Sequence, residues 1–128
     1  MESRKVNISK LVGRSYDQAD CWDTAREFYM LVFQVELKHY YSETPHDRKD
    51  IKNLIYTNRG DFEEVIDGSK RYGDILLFKI HGVESHLGVD ILNGQFLHSS
   101  KKAGSCIDRM ERWEKMLVGR YRHRGLLK

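Results

Sequence analysis

The sequence predicts an α+β domain in which N-terminal helices pack on a mainly antiparallel β-sheet. Three observations carry this. Apolar residues near the N-terminus recur at helical spacing, apolar runs of strand length crowd the C-terminal half, and an Asn93-Gly94 pair separates two of those runs. Helical pattern first and strands afterwards argues for α+β rather than for alternating α/β units.

Each element follows in order. Asn7 to Gly13 reads as a short lead-in. From about Asp20 to Val35, the residues Cys21, Trp22, Ala25, Phe28, Tyr29, Val32 and Phe33 mark a helix with one buried face. Asp17 and Asp20 suit the positive end of its dipole. Lys38 to His46 is polar and tyrosine-rich around the sole proline, Pro45, and reads as a loop. Asp47 to Tyr56 reads as a short helix with Ile51, Leu54 and Ile55 inward. "DFEEVIDGSKRYGD" begins as a strand or helical turn and then becomes a turn. Asp74 to Ile80 and His86 to Leu92 are apolar runs suited to buried strands. Asn93-Gly94, between "VDIL" and "QFLHS", is a hairpin signal, and "MLVGRYRH" reads as the last strand. The strands are expected to form a meander.

With 128 residues, 40% hydrophobic and 32% charged, residues 1–128 are expected to form a single domain with its own core. A net charge of +3 is a weak attraction for an anionic polymer, and Lys101-Lys102 and the Arg120 to Arg124 cluster read as solvated surface. No nucleic-acid partner is expected. No apolar run is long enough to span a bilayer, and the Met1 to Asn7 start lacks the apolar region of a secretory signal peptide. Cys21 and Cys106 are expected to be free thiols of a reducing compartment.

Cys21 sits at the predicted helix start. A lone cysteine packs as a small hydrophobe or serves as a nucleophile, and the second role needs a histidine from elsewhere in the chain. Of six histidines, His39 and His46 fall in the polar loop, His81 in a turn and His123 in the basic tail. His86 and His98 fall at predicted strands, 12 residues apart across the Asn93-Gly94 turn. An ideal hairpin does not set them directly opposite; a bulge or a diagonal offset would bring the rings together. A zinc site built from Cys21, His86 and His98 is the competing use. The chain has no H-x-x-x-H or C-x-x-C spacing, so neither metal nor cofactor is expected.

Three blocks together resemble the NlpC/P60 cysteine peptidases, most closely their phage tail-associated branch. The first is "LVGRSYDQADCWDTAREFY", similar to the family's G-x-x-Y, short gap, D-C-W and apolar helix. The second is "YGDILLFKIHGVESHLGVDI", similar to its G-D strand followed by S-H-x-G. The third is "NGQFLHSSKKAGSCIDRMERWEKMLVGRYRH", similar to its G-x-F-L-H, small-residue turn and closing R-Y-R. They cover most of the chain outside about Lys38 to Arg71.

The resemblance implies a papain-like core with the nucleophile helix on an antiparallel sheet. It implies Cys21 as nucleophile, His86 as general base and His98 as the residue that orients His86. It places Tyr16 near the oxyanion site, and Asp20 and Ser85 against the free amine of a stem peptide. Gln18-Ala19 and Asp23 depart from the small residues the family often has there. Asp23 is expected to raise the thiol pKa, while the helix N-terminus and a nearby imidazolium would lower it. Cys106 has no such setting and is expected to be structural or incidental.

The function so implied is a cysteine peptidase cutting an amide bond of peptidoglycan stem peptides, of γ-D-glutamyl-diamino acid type. The expected partners are the stem peptide and phage tail-tip proteins, and the expected location is the virion, or the host cytoplasm before assembly. A structural tail-tip subunit with this fold and weak or no activity is the second expectation, motivated by Asp23 and Gln18-Ala19.

Overall fold

The computed structural model describes residues 7–37, 61–80 and 82–126, with the backbone alone at 83–85. The expected loop at Lys38 to His46 and helix at Asp47 to Tyr56 lie outside the described residues, as do His39, His46 and His81.

Helix α1 spans Cys21–Phe33. Its start is a capping box: the Asp23 amide donates to Asp20 Oδ1 at 2.8 Å, and the Asp20 amide donates to Asp23 Oδ2 at 3.4 Å. Gln34, in the left-handed region at φ 55°, ends it. Cys21, Trp22, Thr24, Ala25, Phe28 and Tyr29 are buried, which is the face the periodicity predicts.

The strands are β1 Phe62–Glu64, β2 Ile75–Ile80, β3 Val83–Leu92, β4 Gln95–Ser100, β5 Gly104–Arg109 and β6 Leu117–His123. They form one antiparallel sheet in the order β1-β6-β2-β3-β4-β5. Residues 104–109, for which no element was expected, form β5. The sheet is also more than a meander, because two short 3-10 helices, Met110–Arg112 and Glu114–Met116, carry the chain back and β6 inserts between β1 and β2.

Both faces of the sheet centre are covered. On one side Ile75, Leu77, Leu87, Val89 and Leu97 pack with Cys21, Trp22, Ala25, Phe28 and Tyr29 of α1. On the other, Leu76, Phe78 and Phe96 lie under Met110, Trp113, Met116 and Leu117. Four consecutive residues of β2, Ile75 to Phe78, are therefore buried, which is why that strand reads as an unbroken apolar run.

Within the Arg120 to Arg124 cluster, Arg124 is exposed as expected, but Arg120 and Arg122 are not solvated surface. Arg122 donates from Nε to Asp74 Oδ1 at 2.7 Å and from Nη2 to Asp74 Oδ2 at 2.8 Å. Arg120 Nη1 bridges Asp74 Oδ2 and Asp90 Oδ2, both at 2.8 Å. Asp74, Asp90 and Arg122 are buried. His123 likewise leaves the basic tail, packing its ring 5.3 Å from Phe62 and 5.7 Å from Tyr29. Burial alone would raise the Asp74 pKa, but the hydrogen bonds from Arg122 and Arg120 hold it below the ordinary carboxylate value.

Removing one partner of a buried ion pair strands the other charge. Arg122→Ala is expected to cost about 3–5 kcal/mol in chemical denaturation; a loss under about 1 kcal/mol would show that Arg120 alone satisfies Asp74. The folded pKa of Asp74 lies below its unfolded value. Its contribution is therefore present above about pH 4 and lost as pH falls through the folded pKa. Asp74→Asn should remove that part of the acid-side slope in urea titrations taken across pH.

Candidate active site

His98 pairs directly with Gly88 across β3 and β4, and a bulge lies between Asp90 and Leu92. The bulge and turn use left-handed backbone at Leu92, Asn93 and Gly94. His86 is two residues along from Gly88, on the same face as His98 and diagonal to it. Its Nε2 lies 2.8 Å from His98 Nδ1. Both devices foreseen for the pair, bulge and diagonal offset, are present.

Gly88 is what lets the aromatic layer close over this pair. A Cβ there would stand 2.6 Å from Phe96 Cδ2 and 3.0 Å from the Leu97 carbonyl oxygen. Phe96 instead stacks on His98, centroids 4.5 Å apart, and Trp113 stacks on His86 at 5.4 Å while meeting His98 edge-on at 5.0 Å. Both histidines are buried.

Cys21 reaches the site from the other side. It is the first residue of α1, and its side chain belongs to the helix-side core. The start of α1 is tied to β4 where Ser99 Oγ donates to the Ala19 carbonyl at 2.6 Å. The β3–β4 pairing ends at Gly88 and His98. Just beyond, the Leu87 amide donates to the Cys21 sulfur, as does the Trp22 amide. Cys21 thus touches β3 at the residue that follows His86.

This setting does not activate the thiol at rest. Burial pushes the Cys21 pKa up to about 12, and the Asp20 carboxylate adds to the rise; the amides of Leu87 and Trp22 oppose it. The helix start was expected to lower the value, and desolvation outweighs it. Asp23 was the carboxylate expected to matter. Its side chain instead closes the capping box and lies 3.9 Å from Arg26 Nη1, and Asp20 is the acid that bears on the sulfur.

The remaining expected residues divide. Asp20 is the helix cap, so its carboxylate is built into the start of α1. Tyr16 lies half-buried in the turn where the Gln18 and Ala19 amides donate to the Ser15 carbonyl, just ahead of the helix. Ser85 lies on β3 beside His86, with its side chain outside the described residues. Among the described residues no group of three or more His, Cys, Asp or Glu side chains could hold a metal ion.

Sequence reasoning missed Asp108 and Trp113 and undervalued Cys106. Cys106 pairs with His98 across β4 and β5, and its sulfur lies 3.7 Å from His98 Nε2. Asp108 Oδ2 lies 3.4 Å from the same nitrogen and accepts from the Trp113 indole at 3.0 Å. Recognising β5 would have found Cys106 and Asp108 by parity, since they alternate onto the His98 face. A cavity of about 630 Å³, lined by Lys70, Asp90, Asn93, Arg109, Glu114 and Arg120 among others, opens elsewhere; none of Cys21, His86 and His98 lines it.

A protonated, buried thiol should react slowly. At about pH 8 a small thiol reagent is expected to modify the half-buried Cys106 well before Cys21, read by mass spectrometry of wild type and Cys106→Ser. Fast modification of Cys21 in the folded protein would show that the resting thiol is ionised.

Among curated proteins the chain is similar to the ribosome maturation factor RimM of Bifidobacterium longum (strain DJO10A), at 26% identity over 80 residues. That match covers 62% of this chain and 40% of the relative, too little to assign a family. Residues 10–122, by contrast, match the NlpC/P60 family profile, a span holding α1, the sheet up to Arg122, and Cys21, His86, His98 and Asp108. No helix among the described residues is long and apolar enough to cross a membrane. The chain belongs to the NlpC/P60 family, whose members are generally cysteine peptidases of the bacterial cell wall.

Proposed function

We propose that this chain is a cysteine peptidase that hydrolyses an amide bond of peptidoglycan stem peptides, of γ-D-glutamyl-diamino acid type. The observation that carries the reading is the hydrogen-bonded His86–His98 pair beside the first residue of α1, in a chain of this family. Cys21 is the nucleophile, His86 the general base and His98 its orienting partner.

The raised thiol pKa favours one order of events. In this reading the buried thiol keeps its proton until substrate arrives. Proton transfer to His86 therefore accompanies attack of the sulfur on the scissile carbonyl, as in serine peptidases. The imidazolium then protonates the leaving amine, and His86 next takes a proton from the water that releases the acyl group. The Cys21 amide and the Tyr16 hydroxyl are the proposed oxyanion donors. Asp20 and Ser85 are the proposed contacts for the free amine of the stem peptide.

The tail-associated role rests on the likeness of the three sequence blocks to that branch of the family. It expects the protein in purified virions, in contact with tail-tip proteins, and its absence from them would sink that part alone. A second reading, a structural tail-tip subunit with weak or no activity, is favoured by the burial and high pKa of Cys21.

Digestion of purified muropeptides separates the two. Wild type is expected to release a new amine from stem peptides, Cys21→Ala to release none, and His86→Ala to be slower by about a hundred- to ten-thousandfold. Cleavage that persists in Cys21→Ala would overturn the peptidase assignment, and wild type that cuts nothing would favour the structural subunit.

A further inference from the structure

We infer that Asp108 is a positioning residue that sets the tautomers of both histidines, through the relay Asp108–His98–His86. The inference rests on the peptidase reading for its consequence, but its geometry stands by itself.

A carboxylate can only accept hydrogen bonds. Asp108 Oδ2 stands 3.4 Å from His98 Nε2, so in the neutral ring that nitrogen carries the proton. Nδ1 of His98 is then an acceptor. Its partner at 2.8 Å, His86 Nε2, must donate. When His86 is neutral, its proton is on Nε2 and its Nδ1 holds the lone pair. That is the form in which His86 can take a proton from a thiol, with His98 fixing it at the far side of the ring. These tautomers are assigned from the hydrogen-bond network.

The competing arrangement is also present. Cys106 Sγ lies 3.7 Å from the same His98 Nε2, and a thiol is a weak donor. Donation from Cys106 would put the His98 proton on Nδ1, make His86 Nε2 the acceptor and leave His86 protonated on Nδ1, which is useless for a base. Asp108 decides against this. It is the closer group, it is charged, and it is rigidly held: Oδ1 accepts from the Arg109 amide at 2.8 Å and Oδ2 from the Trp113 indole at 3.0 Å. Those donors and His98 hold its pKa below the ordinary carboxylate value against the opposing effect of partial burial. Burial meanwhile lowers the His98 pKa, against the pull of Asp108, which keeps that ring neutral.

The test is Asp108→Asn. With its oxygen on the Arg109 amide, the Asn places its NH2 where Oδ2 stood, gives up the Trp113 indole and donates to His98 Nε2. Long-range 15N–1H spectra of the histidine rings read the tautomers directly. Wild type is expected to show Nε2 protonated in both His86 and His98, and Cys106→Ala to look the same. Asp108→Asn is expected to show Nδ1 protonation appearing in both rings together, with Asp108→Glu restoring the wild-type pattern. On muropeptides, kcat of Asp108→Asn should fall about ten- to a hundredfold with KM unchanged, less than the roughly ten-thousandfold loss when the directly bonded acid of a serine triad becomes an amide. Unaltered ring tautomers in a folded Asp108→Asn protein would overturn the inference. If wild type cuts no muropeptide, the peptidase reading fails while the spectra still decide the relay.

Discussion

The arrangement depends on one hydrogen bond, from Ser99 Oγ to the Ala19 carbonyl. It is buried, 2.6 Å long, and joins residues 80 apart in the chain. Through it the start of α1 is fixed to β4 at the point where β4 stops pairing with β3. A helix laid flat on a sheet would leave its first side chain on one face only. Here the first residue meets the in-plane edge of β3, at the Leu87 amide. That is how Cys21, which packs with the helix-side core, comes beside histidines that belong to the opposite face. The apolar stripe of α1 sets how the helix lies on the sheet, and the Ser99 bond sets where it begins.

That division explains what could be read from the chain and what could not. Periodicity reports which face of an element is buried, so α1, β2, β3, β4 and β6 were legible, and Asn93-Gly94 gave the turn that joins the histidine strands. The histidine pairing was legible as a choice of devices, because strand register follows from turn geometry. It was the bulge after Asp90 that fixed the count. Residues 104–109 were not legible as a strand. They alternate small, polar and charged residues at a sheet edge, where neither burial nor β-propensity marks them. Everything that depends on β5 was hidden with it, including Asp108. Trp113 was harder still, since its place over the rings is set by two 3-10 turns with no periodic signal.

The charged residues teach a related lesson. Arg120 and Arg122 look like a basic patch in the linear sequence, yet alternation along β6 turns both inward, Arg120 to Asp74 and Asp90 and Arg122 to Asp74. Two arginines against two aspartates make this network neutral, so the net charge of +3 is carried by residues outside it. The same network steadies the chemistry at a distance. Asp90 is on β3 within the bulge region, and it accepts from the Leu92 amide at 2.7 Å while pairing with Arg120. A bulge held from two sides cannot slip, and a slip of one residue would carry His98 to the other face of the sheet.

A nucleophile as buried as Cys21 rests more favourably uncharged. An ionised thiol beside a carboxylate cap is unfavourable in a buried site, and the helix dipole, worth about 1 kcal/mol or less near a surface, does not repay the desolvation. The resting protein therefore holds a neutral thiol and a neutral His98 ring. Such a site avoids a standing ion pair, and with it the oxidation to which a thiolate is prone. It then depends on an unprotonated nitrogen waiting at the right edge of His86. A site with a preformed thiolate tolerates an ambiguous histidine tautomer, because the imidazolium is protonated on both nitrogens. A site with a neutral thiol does not. The burial of Cys21 and the acceptor-only carboxylate at Asp108 are thus two halves of one requirement, the first creating the need for a defined tautomer and the second supplying it.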